Sequence, residues 1–150
     1  MRRFIASSSL ALVFVCTVGS PAAAQMQQKS LYDRLGGKAA ITAVVDEFVA
    51  RVGADNRINH FFGATVADTA RLRTFKRNLV DQICQATGGP CKYMGKDMKT
   101  AHGGMGITHA DFMALVEDLG GALDKFKVAK ADQDALVGAL APMEKDIVTK

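Results

Sequence analysis

Residues 95–112 read Gly95-Lys96-Asp97-Met98-Lys99-Thr100-Ala101-His102-Gly103-Gly104-Met105-Gly106-Ile107-Thr108-His109-Ala110-Asp111-Phe112. The first half, Lys96 to His102, is a plausible helix turn that breaks at Gly103-Gly104 and again at Gly106. A new helical pattern starts after Thr108, with Asp111 three residues on, which predicts a capping box with Asp in place of Glu. His102 thus ends a short helix and is followed by glycines, so its ring is held at a defined place and angle. Met98, four residues earlier, shares its face. Whether His102 has something to hold depends on the rest of the chain.

At 150 residues, 49% of them hydrophobic, the chain is long enough for one domain with a real core. The N-terminus predicts a targeting segment. Arg2-Arg3 is a positive n-region, Phe4 to Val18 an apolar h-region, and Pro21-Ala22-Ala23-Ala24-Gln25 offers a cleavage site after Ala24. A retained membrane anchor is the competing reading, but the apolar run is short for a span. A twin-arginine route fits the residues flanking Arg2-Arg3 poorly, and Val13-Phe14-Val15 lacks the small residues of a lipoprotein site at Cys16. The expected organisation is a cleaved signal peptide at 1–24, a polar tail at 25–29 and one domain at 30–150, exported to the periplasm. Cleavage removes two arginines and no acid, so the net charge falls from +4 to +2. No basic stripe interleaved with aromatics remains, and nucleic acid is not implied. Cleavage also leaves only Cys84 and Cys91, on either side of Gly88-Gly89-Pro90. In an oxidising compartment the turn can bring them together as a short disulfide; two free thiols are the alternative.

Helical periodicity dominates. Ser30 to Leu35 makes a short helix ended by Gly36-Gly37, and Lys38 to Arg51 an amphipathic one with Ile41, Val44, Val45, Phe48 and Val52 on its apolar face. Arg57 to Phe62 is a short tight segment and Gly63 to Asp68 a loop. Thr69 to Ala86 is a long helix with Leu72, Phe75, Leu79 and Ile83 on one face. Ala110 to Phe126 is a third, with Phe112, Leu115, Val116, Leu119, Leu123 and Phe126 inward. A fourth covers Lys130 to Val148, kinked or weakened at Pro142. No stretch alternates with the period of a strand, so the fold class is all-α.

Several chemistries fall away. There is no C-x-x-C-H for covalent haem, no H-E-x-x-H or Cys/His cluster for a closed zinc site, and no phosphate-cradling glycine loop after a strand. His60 and His109 are most simply solvent-facing. For His102, a single axial ligand in an apolar all-α interior suits haem. Phe62, Phe75, Leu79, Met98, Ile107 and Phe112 are candidate walls, and Lys96 and Lys99 candidate partners for the propionates. An ordinary helical core explains the same apolar residues equally well.

From Leu31 to Val148 the chain resembles the truncated haemoglobins, specifically group 1. The motifs that carry the resemblance come in the family's order: Leu31-Tyr32-Asp33-Arg34-Leu35-Gly36-Gly37, then Val44-Val45-Asp46-Glu47-Phe48, then Ala54-Asp55 with Phe61-Phe62. Gly88-Gly89-Pro90 follows with Tyr93 and Gly95, then Met98-Lys99-x-x-His102 with Gly106-Ile107-Thr108 and Phe112, and last Ala141-Pro142-Met143. The resemblance implies a two-over-two helical sandwich around a non-covalent haem b with His102 as the proximal iron ligand. It places Phe62 against the haem, and Tyr93, Met98, Ile107 and Phe112 around its pocket.

The chain departs from the family on the distal side. Where the family usually has a tyrosine that hydrogen-bonds dioxygen, this sequence has Val49, and two often polar positions correspond to Phe75 and Leu79. The resemblance therefore implies an apolar distal pocket, with Asn78 and Gln82 as alternative donors if the helix is rotated and Tyr32 a more remote one. Dioxygen is expected to be held weakly and nitric oxide or carbon monoxide relatively well. The expected function is binding of a diatomic gas at a five-coordinate iron, in an oxygen-binding, oxygen-transport or nitric-oxide-related role, with a redox partner possible and His60 an improbable sixth ligand. The same haem turning over as a nitric oxide dioxygenase or peroxidase is the enzymatic alternative. A haem-free helical domain is a third reading, against which the presence of His102 argues.

Overall fold

The structure, a computed structural model, describes residues 29–150. The expected signal peptide, and all of the polar tail except Lys29, lie outside these residues. Described elements are helical: α1 (Leu31–Arg34), α2 (Gly37–Ala54), a 3-10 turn (Asn59–Phe61), α3 (Gly63–Val66), α4 (Thr69–Ala86), α5 (Met98–His102), α6 (His109–Lys125), α7 (Lys130–Leu140), a second 3-10 turn (Ala141–Met143) and α8 (Glu144–Ile147).

The central element is α2, which packs across both α4 and α6, while α6 in turn packs on α7 and α8. This builds two layers of paired helices. The apolar stripe read from α2 is its buried face: Ile41, Val44, Val45, Phe48 and Val52 are all sealed. They meet Val80, Ile83 and Cys84 of α4, Leu119, Ala122 and Leu123 of α6, and Leu136 of α7 in one main core. Burial of each such aliphatic side chain contributes about 1.5–3 kcal/mol. A smaller cluster forms separately around Ile107, Phe112 and Ile147, with Met98, Val116, Met143 and Val148 against it. Phe61 packs against both clusters.

Four boundaries differ from the sequence reading. Helix α2 begins at Gly37 and runs through Gly53 to Ala54, because its burial against two helices outweighs the roughly 1 kcal/mol cost of an interior glycine. The stretch Gly63 to Asp68, expected as a loop, contains α3; Asp68 then caps α4 by accepting from the N–H groups of Ala70 and Arg71. The single helix expected over Lys130 to Val148 is three pieces, since Pro142 lacks the N–H a continuous helix needs and the chain tightens into a 3-10 turn there. Phe126, expected inward, is the C-cap of α6 and is 44% exposed, because the helix ends before it can turn back to the core.

Helix α4 carries the finding that matters most for the site. Its core contacts are Val80, Ile83 and Cys84, whereas Leu72, Phe75 and Leu79 are only half-buried. The expected stripe is thus divided: Ile83 is sealed in the core, Leu79 packs against that core only partly buried, and Leu72 and Phe75 are half-buried.

Candidate functional site

Helix α5 is only five residues long and is set by its ends. Asp97 caps it, accepting from Thr100 N–H at 2.8 Å, one residue later than the sequence reading began the turn. Past His102 the chain reverses through Gly104 and Gly106, with φ of +78° and +69°, a conformation that a side chain would strain. The capping box then starts α6 as expected: Asp111 N–H donates to the Thr108 hydroxyl, and Thr108 N–H donates to the Asp111 carboxylate at 2.9 Å. Ile107, between the two helices, is buried, and its carbonyl accepts from Thr149 and Lys150 N–H, which ties the loop to the C-terminal segment.

The His102 ring is oriented from within its own helix. Nδ1 lies 2.8 Å from the Met98 carbonyl oxygen. A carbonyl only accepts, so Nδ1 is the donor and the lone pair of the neutral ring is at Nε2, the arrangement of a metal-ligating histidine. Nε2 hydrogen-bonds to none of the described residues, and the ring is half-buried. Among the described residues no group of three His, Cys, Asp or Glu side chains converges on a common point.

Side chains of α4 reach the surrounding elements at two points. Phe75 packs on Phe62, ring centroids 5.7 Å apart and tilted by 50°. Gln82, one turn beyond Leu79, donates its amide to Met143 Sδ at 2.9 Å and Met98 Sδ at 3.6 Å. This places α4, α5 and the last 3-10 turn around one shared space. The main helical neighbour of α5 is α8 rather than α4, so the two walls are bridged by Gln82 and not packed into one core. The small void inside the main core, lined by Leu35, Ile41, Ile83 and Leu136 among others, holds about 10 Å³, room for a water at most, and lies away from His102.

The remaining expected site residues divide. Met98, Ile107 and Phe112 form the wall behind His102 within the smaller cluster. Val49 is half-buried and packs against the main core. Tyr93 is half-buried; its hydroxyl donates to the Lys96 carbonyl, and burial, followed by the nearby Asp97 charge, pushes its pKa up. Lys96 and Lys99 are exposed, and no ion pair among the described residues engages them. Tyr32 is engaged elsewhere: its hydroxyl accepts Lys38 N–H at 3.0 Å at the start of α2. His60 is exposed and stacks on Phe61, and His109 is exposed and paired with Glu144 at 2.5 Å. Gln82 was read from sequence only as an alternative donor, and Met143 was not among the pocket residues. Gln82 was legible, lying three and seven residues after Leu79 and Phe75 on the same face; Met143 was not, because only the break at Pro142 brings it there.

An all-helical fold with a histidine ending a short helix, its Nδ1 tied to the backbone and its Nε2 bonded to none of the described residues, suits a haem protein of the two-over-two helical type. Residues 30–149 match the model of the bacterial-like globins, and the chain belongs to that family, among the group 1 truncated haemoglobins. It is 36% identical over 120 residues to the group 1 truncated haemoglobin of Mycolicibacterium paratuberculosis, covering 80% of this chain and 85% of that protein. Identity to the Tetrahymena pyriformis group 1 truncated haemoglobin is 32% over 122 residues, 81% of this chain and 97% of that one. The crystal structure of truncated haemoglobin from Tetrahymena pyriformis in its Fe(III) form superposes with a TM-score of 0.73 at 31% identity, over 81% of this chain and 100% of that chain. The 2/2 haemoglobin of Synechococcus sp., solved with covalently attached haem, gives 0.72 at 30% identity over 81% and 100%. The fold is the two-over-two globin fold, and the cofactor is the family's non-covalently bound haem.

The residues present fit that group. Haem would supply an iron that takes one protein nitrogen and binds a small molecule. His102 would offer the single nitrogen, Phe62, Phe75, Leu79 and Met98 the apolar surfaces, and the exposed Lys96 and Lys99 the cations for its carboxylates.

Proposed function

We propose that this protein binds a diatomic gas, dioxygen, nitric oxide or carbon monoxide, at an iron held by His102. The observation that carries the reading is the His102 Nδ1 contact to the Met98 carbonyl, which leaves Nε2 as a fixed, unshared lone pair. Phe62, Phe75, Leu79, Tyr93, Met98, Ile107 and Phe112 line the haem, and Lys96 and Lys99 neutralise its propionates. Val49, Phe75 and Leu79 make the opposite face apolar. Dioxygen, which gathers partial negative charge when bound, lacks a donor there, while carbon monoxide and nitric oxide depend on one far less. Of the two alternative donors, the Gln82 amide is engaged by the sulfurs of Met98 and Met143. The Cys84–Cys91 disulfide and the N-terminal pattern at 1–24 support export to an oxidising compartment, the periplasm. Among the described residues no helix is long and apolar enough to cross a membrane.

Absorption spectroscopy of the purified protein tests this. A Soret band that shifts with dithionite and again with carbon monoxide is expected; its absence from protein incubated with hemin would overturn the reading. Rapid autoxidation and fast dioxygen dissociation are expected alongside, and slow values of both would refute the apolar distal face.

A further inference from the structure

Cys84 lies near the end of α4 and is 0% exposed within the main core; Cys91 is bonded to it across seven positions, with Cα atoms 5.7 Å apart. The backbone is folded tightly over the bond. Gly89 N–H donates to the Cys84 carbonyl at 2.7 Å, and a Cβ on Gly89 would meet Tyr32, Cys84 Sγ and the Cys84 carbonyl within 2.8 Å. After Cys91 no helix forms until Met98. Exposure alternates along this segment: Cys91, Tyr93 and Gly95 are half-buried, whereas Lys92, Met94 and Lys96 are exposed. The inward residues are each held. Cys91 has the disulfide, Tyr93 N–H donates to Gln85 Oε1 at 2.7 Å, and the Tyr93 hydroxyl closes onto Lys96 over Gly95. Asp97 follows at once and caps the helix that carries His102.

Helix α5 has no fully buried residue of its own, and α8 is its main helical neighbour. Its place is therefore set by α8 on one side and by this anchored segment, tied to α4, on the other. We propose that the Cys84–Cys91 disulfide is a positioning device for His102, fixing the gap between the α4 face and the histidine, so that thiol–disulfide exchange sets how tightly haem is retained. The proposal rests on the haem reading above. In the exchange, the thiolate of an external dithiol attacks Cys91, the less buried sulfur, and displaces Cys84 as thiolate. The second thiol of the reductant then displaces Cys91, the reductant leaves as its own disulfide, and two electrons and two protons end on the cysteines. The reduced segment keeps its hydrogen bonds but loses its covalent tie to the α4 core.

The test compares the oxidised protein with the Cys84→Ala/Cys91→Ala variant, and with Cys91→Ala alone should the double variant fail to fold. Haem loss to excess apomyoglobin is expected to accelerate about tenfold or more, the scale of losing an outer-shell support. The iron–histidine stretch in resonance Raman spectra of the ferrous protein is expected to shift or broaden. Hydrogen exchange of the haem-free protein is expected to speed up at residues 90–102 and not in α2 or α6. Unchanged haem loss with an unchanged stretch would overturn the proposal, and so would faster exchange spread evenly over the chain, the mark of a general stabiliser. If neither form takes up haem, the haem reading fails, and the exchange pattern alone still decides whether the disulfide holds the His102 segment.

Discussion

The Nδ1 atom of His102 lies 2.8 Å from the carbonyl oxygen of Met98, one turn earlier on the same five-residue helix. Backbone and ligand are thus one rigid unit, and the ring needs no outside side chain to orient it. Replacing His102 by Gly is expected to weaken haem binding by more than the roughly 10–100-fold typical of losing an outer-shell partner. Imidazole added in solution is expected to restore the coordinated spectrum in the vacated space. A His102→Gly protein with the wild-type Soret band and no response to imidazole would contradict the assignment.

Val49 packs half-buried against the core and carries no hydroxyl at the position the resemblance assigns to the distal side. Val49→Tyr is expected to slow dioxygen dissociation about fivefold, since one hydrogen bond is worth about 1 kcal/mol and 1.4 kcal/mol is tenfold. Carbon monoxide dissociation should change little. Val49→Phe, with the ring and no hydroxyl, is the control measured beside it by stopped flow; equal effects from both would remove the hydrogen-bond explanation.

Acid should loosen both ends of the His102 loop. Hydrogen bonds from Thr100 hold the Asp97 pKa below its usual value, and those from the Thr108 N–H and hydroxyl do the same for Asp111. A lowered folded-state pKa gives stability that is present above the unfolded value of about 3.9 and lost as pH falls through the folded one, so the window lies below about pH 4. Asp118 has the opposite sign. Its Oδ2 is buried without a hydrogen-bond partner, and burial, then repulsion from Asp55, raises its pKa against the pull of Arg57 and Arg51. Its ionised form opposes folding above the raised value, and that penalty is gone below the unfolded one. Asp118→Asn should therefore raise the thermal midpoint at pH 7 and confer nothing at pH 3, while Asp97→Ala and Asp111→Ala should lower it at pH 7 and matter less in acid. Melting curves across pH check all three.

Leu123→Ala, at a side chain 1% exposed in the main core, is expected to cost about 2–5 kcal/mol in urea unfolding. Gly89→Ala is expected to cost about 1–3 kcal/mol by overpacking, because one of the atoms its Cβ would meet is the Cys84 backbone oxygen, which cannot swing aside. A neutral Gly89→Ala would show that the turn over the disulfide has room to yield.

The residues that fix local structure were readable one by one. Thr108 and Asp111 announce a helix start through a reciprocal pair of hydrogen bonds that needs nothing beyond its own four residues. Glycines at 103, 104 and 106 announce its predecessor's end, while the turn between Cys84 and Cys91 allowed either a disulfide or two thiols, and the structure shows the bond. Each depends on neighbours in the chain, and periodicity likewise gave the α2 face residue for residue. The overextended last helix failed at one point, Pro142, where a kinked helix and a broken one share the same pattern and packing of α8 against α5 and α6 chooses between them.

Sequence alone therefore determined the all-helical class, the helix caps and the histidine at a helix end, because these are set by backbone chemistry within a few residues. Only the tertiary structure decided how deeply each apolar residue is buried. Leu72, Phe75 and Leu79 read no differently from Ile83, yet α2 covers only one side of α4. Nothing in a single helix records how many of its faces a neighbour will bury. The depth at which each of these four residues lies on α4 is the part of this chain that only three dimensions could assign.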